Sequence, residues 1–102
     1  MKRRRVLFAP EAVRDLESIY KIIAERGGPV RAQNYMSRLE TYCLGFDLAG
    51  ERGTARDDIR LGLRVTSFER RITIAFKLTM GEVVFLRLFY AGADWEASFP
   101  SD

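Results

Sequence analysis

The second half of the chain carries strand periodicity. From Arg71 to Leu78, Ile72, Ile74, Phe76 and Leu78 alternate with Arg71, Thr73, Ala75 and Lys77, the period-two pattern of a half-buried antiparallel strand. Glu82 to Tyr90 is apolar on both faces, with Val84, Leu86, Leu88 and Tyr90 on one and Val83, Phe85, Arg87 and Phe89 on the other. A strand of that kind lies inside a sheet. Another strand starts at Gly62 and runs to about Phe68. Glu69–Arg70 and Met80–Gly81 are the turns of this three-strand meander.

The first half has helical spacing. A short strand, Arg4 to Ala9, precedes Pro10, which suits the first turn of a helix, and Glu11 sits near the positive end of its dipole. Ala9 is a poor N-cap. Val13, Leu16, Ile19, Tyr20 and Ile23 form one stripe to about Arg26, and Gly27 and Gly28 end the helix. Pro29 opens a second helix, striped by Ala32, Tyr35, Met36, Leu39, Tyr42, Cys43 and Phe46 and closed by Gly50. Glu51 to Leu61 is polar, charged and turn-like. The expected fold is α+β, in the order β-α-α-β-β-β. An antiparallel helical hairpin packs on a mainly antiparallel three- to four-stranded sheet, with the first strand at an edge. Residues 1–102 are expected to form a single domain. The far face of the sheet is expected to carry Arg87, Lys77 and Thr73, partly covered by the tail from Asp94 to Phe99.

Composition removes whole classes of chemistry. There is no histidine, so Ser-His-Asp and Cys-His catalysis are excluded, as are histidine-bearing zinc sites. The single cysteine, Cys43, cannot form an intrachain disulfide, which suits a reducing cytosol, and its place in an apolar stripe makes it an inert core thiol. No cofactor or metal site is expected. The apolar run Val6 to Ala9 is too short for a signal peptide, and no stretch reaches transmembrane length. A soluble, cytoplasmic protein is expected.

Net charge is +3, with 14 arginines and 3 lysines. Guanidinium groups favour planar contacts with carboxylates and phosphates, although a GC-rich genome gives the same excess. Charge alone therefore does not demand nucleic-acid binding. RNA cleavage would need a base, cations for the phosphate in flight and an acid. The candidates are Arg64, Arg70, Arg71, Lys77, Arg87 and Tyr90, with Arg52, Arg56 and Arg60 in the preceding loop. An arginine stabilises charge but is a poor base. A recognition surface built from Arg64, Arg70, Arg71, Arg87, Tyr90 and Trp95 needs no catalytic residue. Arg70 also fits a plain turn position, and Trp95 a packing plug for the tail. Arg87, amid Val83, Phe85 and Phe89, has to be paired or face a cleft. Sheet edges and the outside of the helical hairpin offer docking to a partner segment, and the Lys2-Arg3-Arg4-Arg5 cluster can join an acidic one.

Three segments carry a resemblance. FAPEAVRDLESIYKIIAERG, DDIRLGLR (Asp57 to Arg64) and VVFLRLFYAGADWEASF (Val83 to Phe99) resemble, in order and spacing, the RelE/ParE superfamily of toxins from type II toxin–antitoxin modules, and most of all its ParE branch. Tyr90 stands where such sequences often carry histidine, and Ala9 where they often carry serine. The resemblance implies a toxin that traps the cleavage complex of DNA gyrase and is neutralised by a ParD-like antitoxin in a hetero-oligomer, with no catalytic residue. The alternative it leaves open is a RelE-like ribosome-dependent mRNA endoribonuclease. Those ribonucleases use loop lysines, and this chain has none between Lys21 and Lys77. A small module that binds nucleic acid directly is the third possibility, but a net charge of +3 makes it weak, and no direct sequence-specific nucleic-acid binding by the toxin alone is expected.

Overall fold

The computed structural model describes residues 3–91 and 93–99. Strand β1 (Arg5–Phe8) leads into helices α1 (Pro10–Gly27) and α2 (Pro29–Leu44), followed by a 3-10 turn at Gly45–Asp47. Strands β2 (Thr54–Ala55), β3 (Arg64–Phe68), β4 (Ile72–Leu78) and β5 (Glu82–Tyr90) complete the sheet, and a second 3-10 turn spans Trp95–Ser98. The sheet has five strands in the order β1-β5-β4-β3-β2. β1 pairs parallel with β5, and the other pairs are antiparallel.

A single residue joins the two helices. Gly28 has φ +89°, donates its N–H to the Ala24 carbonyl at 2.8 Å and accepts from the Ala32 N–H at 3.1 Å. Only glycine holds that backbone without strain. Prolines follow at both helix starts, where no intrahelical donor is lost. Ala12, Ile19 and Ile23 of α1 and Ala32, Tyr35, Leu39 and Cys43 of α2 are buried against the sheet. Phe46 closes the core, its ring edge-on to Phe76 (5.1 Å) and Phe85 (5.2 Å). Cys43 is buried here, and desolvation pushes its thiol up to about 12, so it stays a protonated, inert core group.

Three expectations change. The segment Glu51 to Leu61 is not all turn: Thr54 and Ala55 pair with Val65 and Arg64 to form the fifth strand. The approach is possible because Gly53, at φ +75°, has no side chain to meet the Val65 carbonyl. The face assignment of β5 also breaks. Ala75 pairs with Arg87 and Phe76 with Phe85, so Leu86 is an extra residue in a bulge. Val83, Phe85 and Leu88 therefore face the helices, whereas Leu86 and Phe89 belong to the opposite face. That face is a second small core of Leu63, Ala75, Phe89 and Phe99, with Trp95 packed against it. Strand β3 begins at Arg64, two residues after Gly62, which is a turn residue at φ +83°.

The β3–β4 turn places Glu69 (φ +48°) and Arg70 (φ +59°) in the left-handed region, the geometry of a type I′ turn, closed by the Arg71 N–H donating to the Phe68 carbonyl at 3.0 Å, with Arg71 an extra residue before the Phe68–Ile72 pair. That conformation costs a residue with a side chain roughly 1 kcal/mol. Arg70→Gly is expected to raise stability by about 0.5 kcal/mol, once glycine's greater unfolded-state freedom is allowed for. A urea midpoint that falls instead would show that the exposed Arg70 side chain contributes a contact.

Candidate functional site

The helix-to-helix turn, the β3–β4 turn and the end of β5 meet around a cleft of about 720 Å³. Ile23, Arg26 and Gly27 of α1 form one wall. Val30, Arg31, Asn34, Tyr35 and Arg38 come from α2, and Glu69, Arg71 and Tyr90 from the sheet. Positions 31, 34, 35 and 38 lie on one face of α2 because residues three, four and seven apart share a helix face. Arg71 and Tyr90 are brought together by pairing: Ile72 lies opposite Tyr90, and the Ala91 N–H donates to the Arg71 carbonyl at 2.7 Å. The Arg71 Nη1 is 3.5 Å from the Tyr90 hydroxyl, the outer limit of a hydrogen bond.

The cleft is strongly cationic, with four guanidinium groups and one carboxylate. That carboxylate is already engaged. Arg38 donates to both oxygens of Glu69 at 3.0 and 3.2 Å, and these bonds hold the Glu69 carboxyl below its ordinary range. The Arg38 guanidinium also lies 5.1 Å from the centre of the Tyr35 ring. Arg26, Arg31 and Arg71 have no ion-pair partner among the described residues. Tyr35 is 7% exposed, and its hydroxyl has no hydrogen-bond partner among the described residues. Burial raises its pKa first, and Glu69 and Tyr90 add to that against the opposing Arg71 and Arg38. The phenol is therefore a neutral donor.

The six residues expected to form one surface divide among three places. Arg71 and Tyr90 line the cleft, and Arg70 stands exposed on the adjoining turn. Arg64 and Trp95 lie elsewhere. The Arg64 guanidinium donates to the carbonyls of Arg52 and Glu51 at 3.2 Å and of Gly53 at 3.4 Å, tying down the segment before β2. Trp95 packs edge-on to Phe99, with the Arg56 guanidinium 5.2 Å from its ring. Arg87 takes the paired option. Its Nε donates to Asp15 Oδ2 at 2.8 Å and its Nη2 to Asp15 Oδ1 at 3.2 Å, and it does not reach the cleft. Arg87 and Tyr90 thus serve different sites.

The other arginines considered for phosphate contact are also engaged. Arg56 pairs with Asp58 and Glu96, Arg52 lies 4.8 Å from the centre of the Phe46 ring, and Arg60 lies 6.0 Å from that of Phe99. Lys77 is exposed on β4. At the N-terminus, Arg3 pairs with Asp47 and Arg4 donates to the Thr79 carbonyl, while Lys2 lies outside the described residues. Arg26, Arg31, Arg38 and Tyr35 were not among the expected site residues. Their signal was the spacing along α2 and the two arginines flanking the Gly27-Gly28-Pro29 turn.

A helical hairpin on one face of a five-stranded mixed sheet, with a basic cleft at its tip, defines a small α+β scaffold. The chain belongs to the ParE toxin family of type II toxin–antitoxin systems (parDE), which it matches over residues 6–95. It is similar in fold to a chain of the chromosomal ParDE toxin–antitoxin system from P. aeruginosa. The TM-score is 0.76 at 20% identity, over 89% of this chain and 99% of that one. A chain of the E. coli DinJ–YafQ toxin–antitoxin complex aligns at a TM-score of 0.49 and 19% identity, over 86% of this chain and 92% of that one. No curated protein matches the chain significantly in sequence. Among the described residues, no helix is long and apolar enough to cross a membrane.

Proposed function

We propose that this toxin arrests growth in the cytoplasm by binding DNA gyrase and trapping its cleavage complex, without catalysis of its own. A ParD-like antitoxin holds it inactive, and the whole chain acts as one toxin domain. The observation that carries the proposal is the family match along residues 6–95. Site chemistry agrees with it. The cleft pairs no base with an acid: Glu69 is a weakened base under Arg38, and Tyr35 is kept protonated by burial. Arg56 and Arg64, two of the cations considered for phosphate contact, are bound to protein groups, and the Arg52 guanidinium lies over the Phe46 ring. Binding that differs between two states of a large partner needs only a complementary surface. Arg71, Tyr90 and the exposed Arg70 are its first contacts.

The antitoxin's place is the outside of the hairpin. A shallow groove of about 420 Å³ runs along Leu16, Tyr20 and Met36, beside a smaller hollow reaching Leu39 and Leu44. An amphipathic helix with apolar residues at i, i+3, i+4 and i+7 fits such a groove.

The deciding experiment incubates purified toxin with gyrase, plasmid and ATP. Accumulation of cleaved DNA is expected, and its suppression when the antitoxin is added. Intact supercoiling, together with ribosome-dependent cutting of mRNA, would overturn the gyrase assignment in favour of a ribonuclease.

A further inference from the structure

The cleft at the hairpin tip holds more cationic chemistry than its own carboxylate uses. Arg38 and Glu69 satisfy each other, which leaves Arg26, Arg31 and Arg71 free of ion pairs among the described residues. Arg31 is folded back over the helix turn: a Cβ on Gly27 would lie 2.6 Å from its Cδ and 3.4 Å from its Nε and Nη1. The glycine therefore makes room for this arginine at the cleft wall.

A second observation is independent of charge. The Tyr35 hydroxyl is buried in the cleft wall with no partner among the described residues. Buried polar groups in native structures are nearly always bonded, and an exception points to an absent partner. A neutral hydroxyl beside guanidinium groups suits one oxygen of an anion.

We propose that the cleft binds a phosphate group carried by a nucleotide. Arg31, Arg71 and Arg26 supply the cationic contacts and the Tyr35 hydroxyl donates to a phosphate oxygen. Phosphate fits better than carboxylate for two reasons. Its several oxygens can engage three guanidinium groups and a hydroxyl together, which two carboxylate oxygens do less well. The cleft is also much larger than a bare anion, and Val30, Ile23 and the half-buried Tyr90 ring give an attached base an apolar, aromatic wall. The nucleotide can be free or part of a nucleic-acid strand. The proposal does not rest on the gyrase assignment, and a negative gyrase assay leaves it standing.

The test follows backbone amide resonances of the full chain by NMR at fixed ionic strength. Inorganic phosphate, AMP, a short single-stranded oligonucleotide and acetate are titrated in turn. Saturable shifts at Asn34, Tyr35, Arg71 and Tyr90 are expected with phosphate and AMP, with AMP binding tighter than phosphate and acetate weakest. Arg31→Ala and Arg71→Ala should each weaken AMP binding about tenfold. Gly27→Ala should weaken it with no charge removed, because the new methyl displaces Arg31. Tyr35→Phe should weaken it several-fold while leaving the free protein at least as stable, since the hydroxyl has no bond to lose. Arg14→Ala, on the exposed face of α1, should leave binding unchanged. Tighter binding of the oligonucleotide than of AMP, with a steep salt dependence, identifies a strand as the source; equal binding identifies the free nucleotide. The proposal is overturned by an absence of saturable shifts or by acetate binding as tightly as phosphate. It is equally overturned if Arg14→Ala weakens binding as much as Arg31→Ala, or if Tyr35→Phe has unchanged affinity.

Discussion

Asp15→Ala is expected to destabilise the protein by about 3 kcal/mol, the sum of an orphaned backbone donor and an unpaired guanidinium. Strand β1 covers the outer edge of β5 only as far as Phe85, where the Ala9 N–H donates to the Phe85 carbonyl at 2.9 Å. Beyond that point α1 replaces the strand. Asp15, in the second turn of α1, accepts the Leu88 N–H at 2.9 Å through the same Oδ2 that receives Arg87 Nε at 2.8 Å. One carboxylate thus finishes the sheet edge and neutralises a charge. Leu88 is 2% exposed, so its N–H would lose its partner without gaining water. The Arg87 side chain is 32% exposed, which places the pair below the cost of breaking a fully buried one. Asp15→Asn keeps an acceptor for Leu88 and should lose only about 1 kcal/mol. Urea midpoints of both variants check this, and an Asp15→Ala loss under about 1 kcal/mol would show that water replaces the carboxylate at that edge. Arg87→Ala should likewise lower stability, so any loss of toxicity in it has to be weighed against the amount of folded protein.

The same bulge that creates this arrangement explains what the sequence could not show. Alternation along β4 is regular, and Ile72, Ile74 and Phe76 face the helices while Ala75 faces away, as the period-two pattern requires. On β5 the extra residue, Leu86, shifts the register by one, and an apolar run carries no mark of a bulge. Leu88 therefore joins Phe85 against the helices. The short strand β2 was hidden for another reason. Thr54 and Ala55 have no apolar alternation, and their pairing depends on Gly53 and on the three carbonyls held by Arg64, a contact that spans more than ten residues. The helices were legible because their stripes are long and Gly28 and the prolines punctuate them. The cleft was only half legible. Arg71 and Tyr90 stand out as polar groups at strand ends, whereas Arg31 and Arg38 resemble the ordinary solvated face of a helix. Only the fold places that face opposite the β3–β4 turn.

Gly53→Ala is expected to cost about 3 kcal/mol, of which roughly 1 to 2 kcal/mol is left-handed strain and the rest is lost packing and pairing. At φ +75° the new Cβ would lie 2.4 Å from the Val65 carbonyl oxygen, 3.0 Å from its carbon and 3.1 Å from Thr66 Cβ. Those atoms cannot yield easily, because Val65 is paired to Thr54 on one side and to Ala75 on the other. The segment before β2 has to move instead. It carries with it the carbonyls of Glu51, Arg52 and Gly53, and leaves the half-buried Arg64 guanidinium without the acceptors it now holds. Gly62→Ala provides the internal control. Gly62 has a similar φ, +83°, but nothing among the described residues lies within 4 Å of its Cβ position, so only the conformational strain applies. The difference between the two variants isolates the close approach of Gly53 to β3. Faster amide exchange at Arg56, whose N–H donates to the Leu63 carbonyl at 2.8 Å, should accompany Gly53→Ala if β2 detaches. Equal urea midpoints for the two variants would show that the edge strand gives way at little cost, and that the sheet's stability resides in β3, β4 and β5.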